Sequence, residues 1–519
     1  MILSEVTALS QIGFPILGLL IFLPLLAGIA IAYMRDAALA QKVALVISVV
    51  ELALAILVWV RFDASTANMQ FVERIALLPS VGISYHVGID GISVLFLPAT
   101  ALLTLLVVLY GESTGRGDVN KYLGAILAFE ATMMGAFSAL DLALFWAFFV
   151  AELIPSYMLL VNWGTGERRR EAASNYLTFM LAGSVSMLIG FIMLAGHGGQ
   201  QTGGGFSFDY VQLLNTSIPL HTQVAVFFLI VFGLAIKAPL FPFHTWLPKV
   251  LEQGPIIGMS VFVVGVKLGT YGLLRFVLPL LPEASREWAW LMLTVGVAGM
   301  VYGALIALVQ TNLRRLLAFA SLSHMGVVVI AIFSLKFAGF QGGLLQMLNL
   351  GIVGAGLFFI AGFLHTRVGA ADLTVRGGIS NSAPLLGLAF LIIGMAGIGM
   401  PGTSGFNGEH LVMIGAYHVH WGLALISGFG VVLTASYFFW FYQRAFMAVG
   451  VGGAPGDMPD LRPCEKFIAG TLCAVIFWVG LHTTPFLTTM EAPLAAIEKR
   501  LEKGSNERFT PAPAKGRVH

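Results

Sequence analysis

The sequence predicts an all-α integral membrane protein of about fourteen transmembrane helices, and three observations carry that prediction. Of 519 residues, 58% are hydrophobic and only 10% are charged. Apolar runs of about 20 residues recur from end to end, each long enough to cross a hydrocarbon core of roughly 30 Å. Within lipid every backbone N–H and C=O must be paired internally, which leaves helices or closed-barrel strands, and runs of this length are too long for strands.

The runs begin near Phe14, Lys42, Gly91, Tyr122, Leu142, Asn175, Val224, Ile256, Trp288, Arg315, Gly342, Pro384, Trp421 and Glu465. The first reads as a retained helix rather than a cleaved leader. It is longer than a leader's apolar core, has no basic residues before it, and is followed by Arg35 instead of a small-residue cleavage site. Cys464 and Cys473 lie at or within the last run and announce neither a disulfide framework nor a metal site. The tail after Ile497, with mixed charges and two prolines, reads as polar and loosely ordered.

Short cytoplasmic loops carry an excess of Lys and Arg. Loops after odd-numbered helices hold Arg35, Lys42, Arg116, Lys121, Arg168, Arg169, Arg170, Lys249, Arg314, Arg315, Arg367, Arg376, Arg444, Arg462 and Lys466. Loops after even-numbered helices hold only Arg61, Arg74, Arg286 and Lys336. Odd loops are therefore expected on the cytoplasmic side and both termini outside, with the basic tail a mild counterweight.

The net charge of +2 says little about partners, and no nucleic-acid partner is expected. No phosphate-binding glycine loop, zinc spacing or nucleophile elbow occurs, and Gly203, Gly204 and Gly205 read as flexible connection. Soluble-enzyme chemistry has no evident place to sit.

What remains is a set of ionisable residues inside or at the ends of the apolar runs: Glu51, Glu130, Asp141, Glu152, Lys237, His244, Lys267, Arg275, His324, His365 and Glu409. A charge near a membrane helix centre costs about 2.5 to 3.5 kcal/mol, so such residues need partners, water or a function. Asp141, Arg275 and His365 fall near helix ends, where capping or snorkelling to the interface suffices. Glu51 lies mid-helix with no recognisable companion. Glu130, in "AILAFEATMMGAF", has no interfacial escape and calls for a buried pair or a water-lined path.

Lys237 follows "VAVFFLIVFGLAI" and precedes Pro239, Pro242 and Pro248, whose missing donors interrupt the helical ladder. The same construction recurs in "LAFLIIGMAGIGMPGTSGFNGEH", where an apolar run meets Pro401, glycines and then Glu409. Matching breaks in helices seven and twelve fit two five-helix units, helices 4–8 and 9–13. An odd number of helices per unit requires the copies to be inverted. The expected organisation is 1–115 for helices one to three, 116–282 for the first repeat, 283–450 for the second, and 451–519 for helix fourteen and the tail. A buried lysine beside a carboxylate is switchable, because burial favours its neutral form and the carboxylate its charged form. His324 and His244 add groups suited to relaying a proton.

Together, "KAPLFPFHTWLP", "VKLGTYGLLRF", "QTNLRRLLAFASLSHMG" and "GMPGTSGFNGEH" resemble the antiporter-like membrane subunit M family of respiratory complex I, the NADH:quinone oxidoreductase. The likeness runs from about "VGISYHVGIDGISVLF" to helix thirteen. It implies fourteen helices, two inverted repeats and one proton channel. By resemblance, Lys237 is the central proton-transfer site, Lys267 the lysine linking it inward, His324 a relay histidine and Glu409 the exit-side glutamate. The chain is then a translocase subunit without a redox site or cofactor of its own. Quinone, NAD(P)H or ferredoxin, flavin and iron–sulfur centres belong to partner subunits, beside neighbouring antiporter-like subunits in a bacterial cytoplasmic or thylakoid membrane.

The departures are as specific. The family's helix-five glutamate usually sits five residues before the helix proline, here Val150 before Pro155. The nearest acid, Glu152, is two residues on, about 200° around a straight helix, so it is not expected to replace that carboxylate face for face. Leu350, beside Asn349, stands where a relay histidine is often found, and Lys249 where an aspartate usually follows "HTWLP". These changes point to a specialised member, such as one coupled to CO2 hydration. A multisubunit cation/proton antiporter subunit and a non-pumping structural copy are the competing readings.

Overall fold

The computed structural model describes residues 4–111, 118–202, 205–369, 377–447 and 458–506. Arg116, Gly203, Gly204, Arg376 and the tail from 507 onward lie outside the described residues. From the N-terminus come β1 (Glu5–Thr7), α1 (Ala8–Gln11), α2 (Ile16–Ala32) and α3 (Ala37–Arg61). A hairpin of β2 (Met69–Leu78) and β3 (Ile83–Ile89) precedes α4 (Phe96–Tyr110) and α5 (Val119–Ser138). The next helix is divided into α6 (Leu142–Ala151) and α7 (Leu153–Trp163), followed by α8 (Arg169–Thr202) and α9 (Tyr210–Leu214). A second divided helix comprises α10 (Leu220–Lys237) and α11 (Trp246–Gln253). α12 (Met259–Gly272) runs through a π-helical turn, Leu273–Val277, into α13 (Leu278–Leu280) and α14 (Pro282–Glu287). Then come α15 (Ala289–Leu308), α16 (Leu313–Phe333), α17 (Phe337–Val368) and α18 (Ile379–Ser382). A third divided helix, α19 (Pro384–Ile398) and α20 (Ser404–Val419), precedes α21 (Trp421–Tyr442), α22 (Pro463–Leu481) and α23 (Thr484–Asn506).

Ten helical stretches among the described residues are long and apolar enough to cross a membrane, and α2, α4 and α19 are shorter apolar helices. The stretch from Met259 to Leu280 is buried along its whole length, with α16 and α17 nearly so, whereas α3 turns most of its surface outward. Glycines set the helix spacing. A Cβ on Gly124 of α5 would stand 2.6 Å from the Gly28 carbonyl oxygen of α2, and one on Gly233 of α10 would stand 2.4 Å from that of Gly183 on α8. Close backbone approach through small residues is how membrane helices gain packing where no hydrophobic force separates helix from lipid. Side chains cap the ends: Asp141 accepts from the Ala143 and Leu144 N–H groups at 2.9 and 3.1 Å, and Asn312 from Arg314 N–H at 3.0 Å.

Two expectations are corrected here. The fold is mostly helical but not all-α, because β1, β2 and β3 form a three-stranded sheet. The alternating "ISYHVGI" is a strand pattern, and Gly82, at φ +68°, supplies the left-handed residue the hairpin turn requires. The tail is also not loose from Ile497 onward, since α23 continues to Asn506. Phe486, Met490, Leu494, Ile497 and Leu501 recur at three- and four-residue spacing and form one buried stripe, which packs on α13, α14 and α17.

Candidate functional site

Lys237 is the last residue of α10. Pro239 and Pro242 carry no backbone donor, so the ladder stops there. Ala238 N–H still reaches the Leu234 carbonyl and Leu240 N–H that of Ala235, each at 2.8 Å. The Trp246 indole donates to the Ile236 carbonyl at 2.9 Å, so a side chain from α11 serves a carbonyl that the break has freed.

Lys237 forms an ion pair with Glu152, and both are buried, at 1% and 0% exposure. The Ser156 hydroxyl donates to Glu152 at 2.9 Å, and the Tyr176 hydroxyl stands 3.3 Å from both carboxylate oxygens. The rings of Phe149 and Tyr176 flank the ammonium at 5.5 and 6.0 Å from their centroids, within cation–π range. This corrects the expectation that Glu152, two residues on, does not replace the helix-five carboxylate face for face. The rotation of about 200° holds for a straight helix, but Pro155 has no N–H for the Ala151 carbonyl, and the helix divides at Glu152. Val150, at the family's usual position, packs against the apolar core.

Lys267 lies on α12 at 1% exposure, and among the described residues it has no carboxylate within ion-pair distance. A Cβ on Gly269 would fall 2.5 Å from the Ala238 nitrogen, so glycine lets the helix bearing Lys267 touch the one ending in Lys237. Lys267, His324, Leu350 and Tyr437 line one cavity of about 50 Å³, room for a few waters. His324 Nε2 stands 3.4 Å from the Tyr437 hydroxyl.

Glu409 sits on α20, beside the break after α19. That break depends on Gly399, at φ +78°, where a Cβ would lie 2.1 Å from a Glu409 carboxylate oxygen. The Gln346 amide donates to Glu409 at 3.3 Å, the Asn349 amide lies 3.5 Å from the Gln346 carbonyl oxygen, and the Ser404 hydroxyl donates to Asn349. A polar chain thus leads from Glu409 along α17.

His244 lies in the interval between α10 and α11, 5.8 Å from the Phe241 ring and 5.2 Å from that of Tyr302. Glu130 does not join these groups; it lies near Glu51. Asp141 caps α6, and His365 falls in the last turn of α17. Arg275 corrects its expectation. Instead of snorkelling it is buried, ion-paired with Asp90, with its guanidinium 4.7 Å over the Tyr210 ring.

Sequence reasoning missed Tyr437, Tyr176 and Gln346. Tyr437 offered a signal, a polar-tipped ring inside the apolar "VVLTASYFFWFY". At the hairpin, His86 lies 3.3 Å from both Glu5 and Asp209, and Arg74 meets Asp209 at 2.8 Å. Burial alone would lower the His86 pKa, but hydrogen bonding and charge from Asp209 and Glu5 outweigh it and raise it to about 9. The three ligand-type side chains lie close enough to hold a metal, yet two cationic partners already neutralise the carboxylates.

Divided helices beside buried ionisable side chains define an antiporter-like, multi-pass membrane subunit. Residues 139–434 match the family described as NADH:quinone oxidoreductase/Mrp antiporter, transmembrane. Subunit M of NADH-quinone oxidoreductase from Rickettsia typhi (strain ATCC VR-144 / Wilmington) is 35% identical over 483 residues, covering 91% of this chain and 96% of that relative. A chain of respiratory complex I from Thermus thermophilus with bound NADH superposes with a TM-score of 0.85 at 29% identity, covering 93% of this chain and 99% of that one. A chain of the Mrp complex from Dietzia sp. DQ12-45-1b shares the fold, with a TM-score of 0.81 at 24% identity over 93% of this chain and 97% of its own length. The chain belongs to the NADH:quinone oxidoreductase/Mrp antiporter transmembrane family.

Proposed function

We propose that this chain is the proton-translocating, antiporter-like subunit M of a complex I-type quinone oxidoreductase. The observation that carries the reading is the buried sequence of titratable groups: Lys237 held by Glu152 at one helix break, Lys267 and His324 around a water-sized cavity, and Glu409 at the other break. A buried ammonium–carboxylate pair has charged and neutral states close in energy, so admitting water or moving a nearby charge loads or releases a proton.

Lys237 and Glu152 form the switch, His244 lies at its edge, and Lys267 and His324 carry the proton inward. Leu350 leaves the helix-eleven position without a titratable group, and Tyr437, next to His324 in the same cavity, relays toward Glu409 in its place. The subunit then spans the membrane about fourteen times, with inverted repeats at 116–282 and 283–450, odd loops on the cytoplasmic side and both termini outside. Neighbouring antiporter-like subunits are its partners. NAD(P)H or ferredoxin, flavin, iron–sulfur centres and quinone are handled by other subunits.

In membrane vesicles, Lys237→Ala should lower proton pumping per quinone reduced; unchanged pumping and turnover would remove Lys237 from the centre of the path. The shared fold favours one second reading, a subunit of a multisubunit cation/proton antiporter. Affinity purification separates the two: co-purifying quinone-oxidoreductase subunits support the first reading, and their absence from an assembled complex supports the second.

A further inference from the structure

Helices α3, α4 and α5 pack on one another. Each carries, near its middle, polar side chains that have no hydrogen-bond partner among the described residues: Ser48 and Glu51 on α3, Thr104 on α4 and Glu130 on α5. All four residues are at 0% exposure. Glu51 and Glu130 are close enough to feel each other's charge.

An unpaired carboxylate in an apolar interior is costly, and two in one site cannot both stay ionised. Glu152 differs, because Lys237 neutralises it. The elements packed on α3 and α5 bring other titratable groups, Lys267 on α12, Glu152 between α6 and α7, and His86 on β3, but none hydrogen-bonds to Glu51 or Glu130. A shared proton removes the repulsion between the two carboxylates and leaves a single charge for bound water to hydrate.

We propose that Glu51 and Glu130 form a second proton-binding site, separate from the Lys237–Glu409 path, in which one carboxylic acid and one carboxylate share a proton through bound water. Ser48 and Thr104 supply the hydroxyls that orient this water. The only bonds made and broken are O–H bonds, as the proton passes from one carboxyl to water and from water to the other. The ligand is a proton with its water, and the site serves as a proton store on the α3–α5 side of the molecule.

Infrared spectroscopy of the assembled complex tests this through the C=O stretch of a buried protonated carboxyl. Wild type should show such a band. Glu51→Gln and Glu130→Gln should each shift it, because the hydrogen-bond partner of the remaining acid changes, and the double variant should abolish it. Both changes are isosteric, and the shifts in the single variants decide the matter even if the double variant fails to assemble. A band that neither single variant moves, or the lack of any band that depends on these residues, overturns the proposal; the second result is also what a bound metal cation in place of the proton would give. Lys237→Ala should leave the band in place. The readout does not involve pumping, so it stands or falls independently of the function proposed above.

Discussion

Replacing Glu152 with glutamine removes one charge while keeping the side-chain shape, so it isolates what the carboxylate does for Lys237. The ammonium is then left at 1% exposure among Phe149, Tyr176 and the end of α10, with the Ser156 and Tyr176 hydroxyls facing a neutral amide. Removing one partner of a buried pair costs about 3 to 5 kcal/mol when the other charge stays. The pair of opposite charges that the switch requires is then gone, so the variant should assemble in lower amount and pump more slowly. Since about 1.4 kcal/mol is a tenfold change in rate, even half of the penalty in the transfer barrier slows pumping by more than tenfold. The assay is dye-reported acidification of inverted vesicles, normalised to quinone reduction and to the amount of assembled complex. Val150→Glu in the Glu152→Gln background is a geometric control: Val150 packs against the apolar core, and a carboxylate there should not restore pumping. Pumping at the wild-type rate in Glu152→Gln would show the carboxylate to be structural and would refute the switch.

Further perturbations probe the rest of the path. Tyr437→Phe should cut pumping severalfold, and adding Leu350→His should recover part of it; an inert Tyr437→Phe would exclude the hydroxyl from the relay. Gly399→Ala should lower assembly or pumping, since a left-handed non-glycine residue costs about 1 to 2 kcal/mol and its Cβ would collide with the Glu409 carboxylate. Normal yield and rate would count against the break's role in seating Glu409. The His86 pKa is raised from 6.5 to about 9, so its ion pairs stabilise the hairpin at full strength below pH 6.5, and that stabilisation is lost as the pH rises through 9. Protection of β2 and β3 from hydrogen exchange, corrected for the intrinsic exchange rate at each pH, should fall over that range, and His86→Gln should remove that fall.

The breaks in α10–α11 and α19–α20 could be read from the sequence because proline and glycine act locally, through a missing donor and a left-handed φ. Lys237, Lys267, His324 and Glu409 stood out because charge is rare in an apolar run. The Lys237–Glu152 contact could not be read. The helical period describes a straight helix, and Pro155 changes the direction in which Glu152 points. The relation of Glu51 to Glu130 is a contact between distant helices that no spacing encodes. The hairpin has no hydropathy signal of its own, because its strands lie in the connection between the long apolar runs of α3 and α4. The amphipathic stripe of α23 was hidden by the polar residues interleaved with it.

α23 also has a mechanical consequence. Its Glu498 carboxylate accepts the first backbone N–H of α17, Phe337, at 2.8 Å, its Arg500 guanidinium donates to the Pro279 carbonyl, and Arg286 on α14 donates back to the Leu501 carbonyl. One helix thus fastens the corner between α13 and α14 to the start of α17. It acts as a tie rod, and any rearrangement that slid those two regions apart would break either its bond to α17 or its two bonds to the α13–α14 corner.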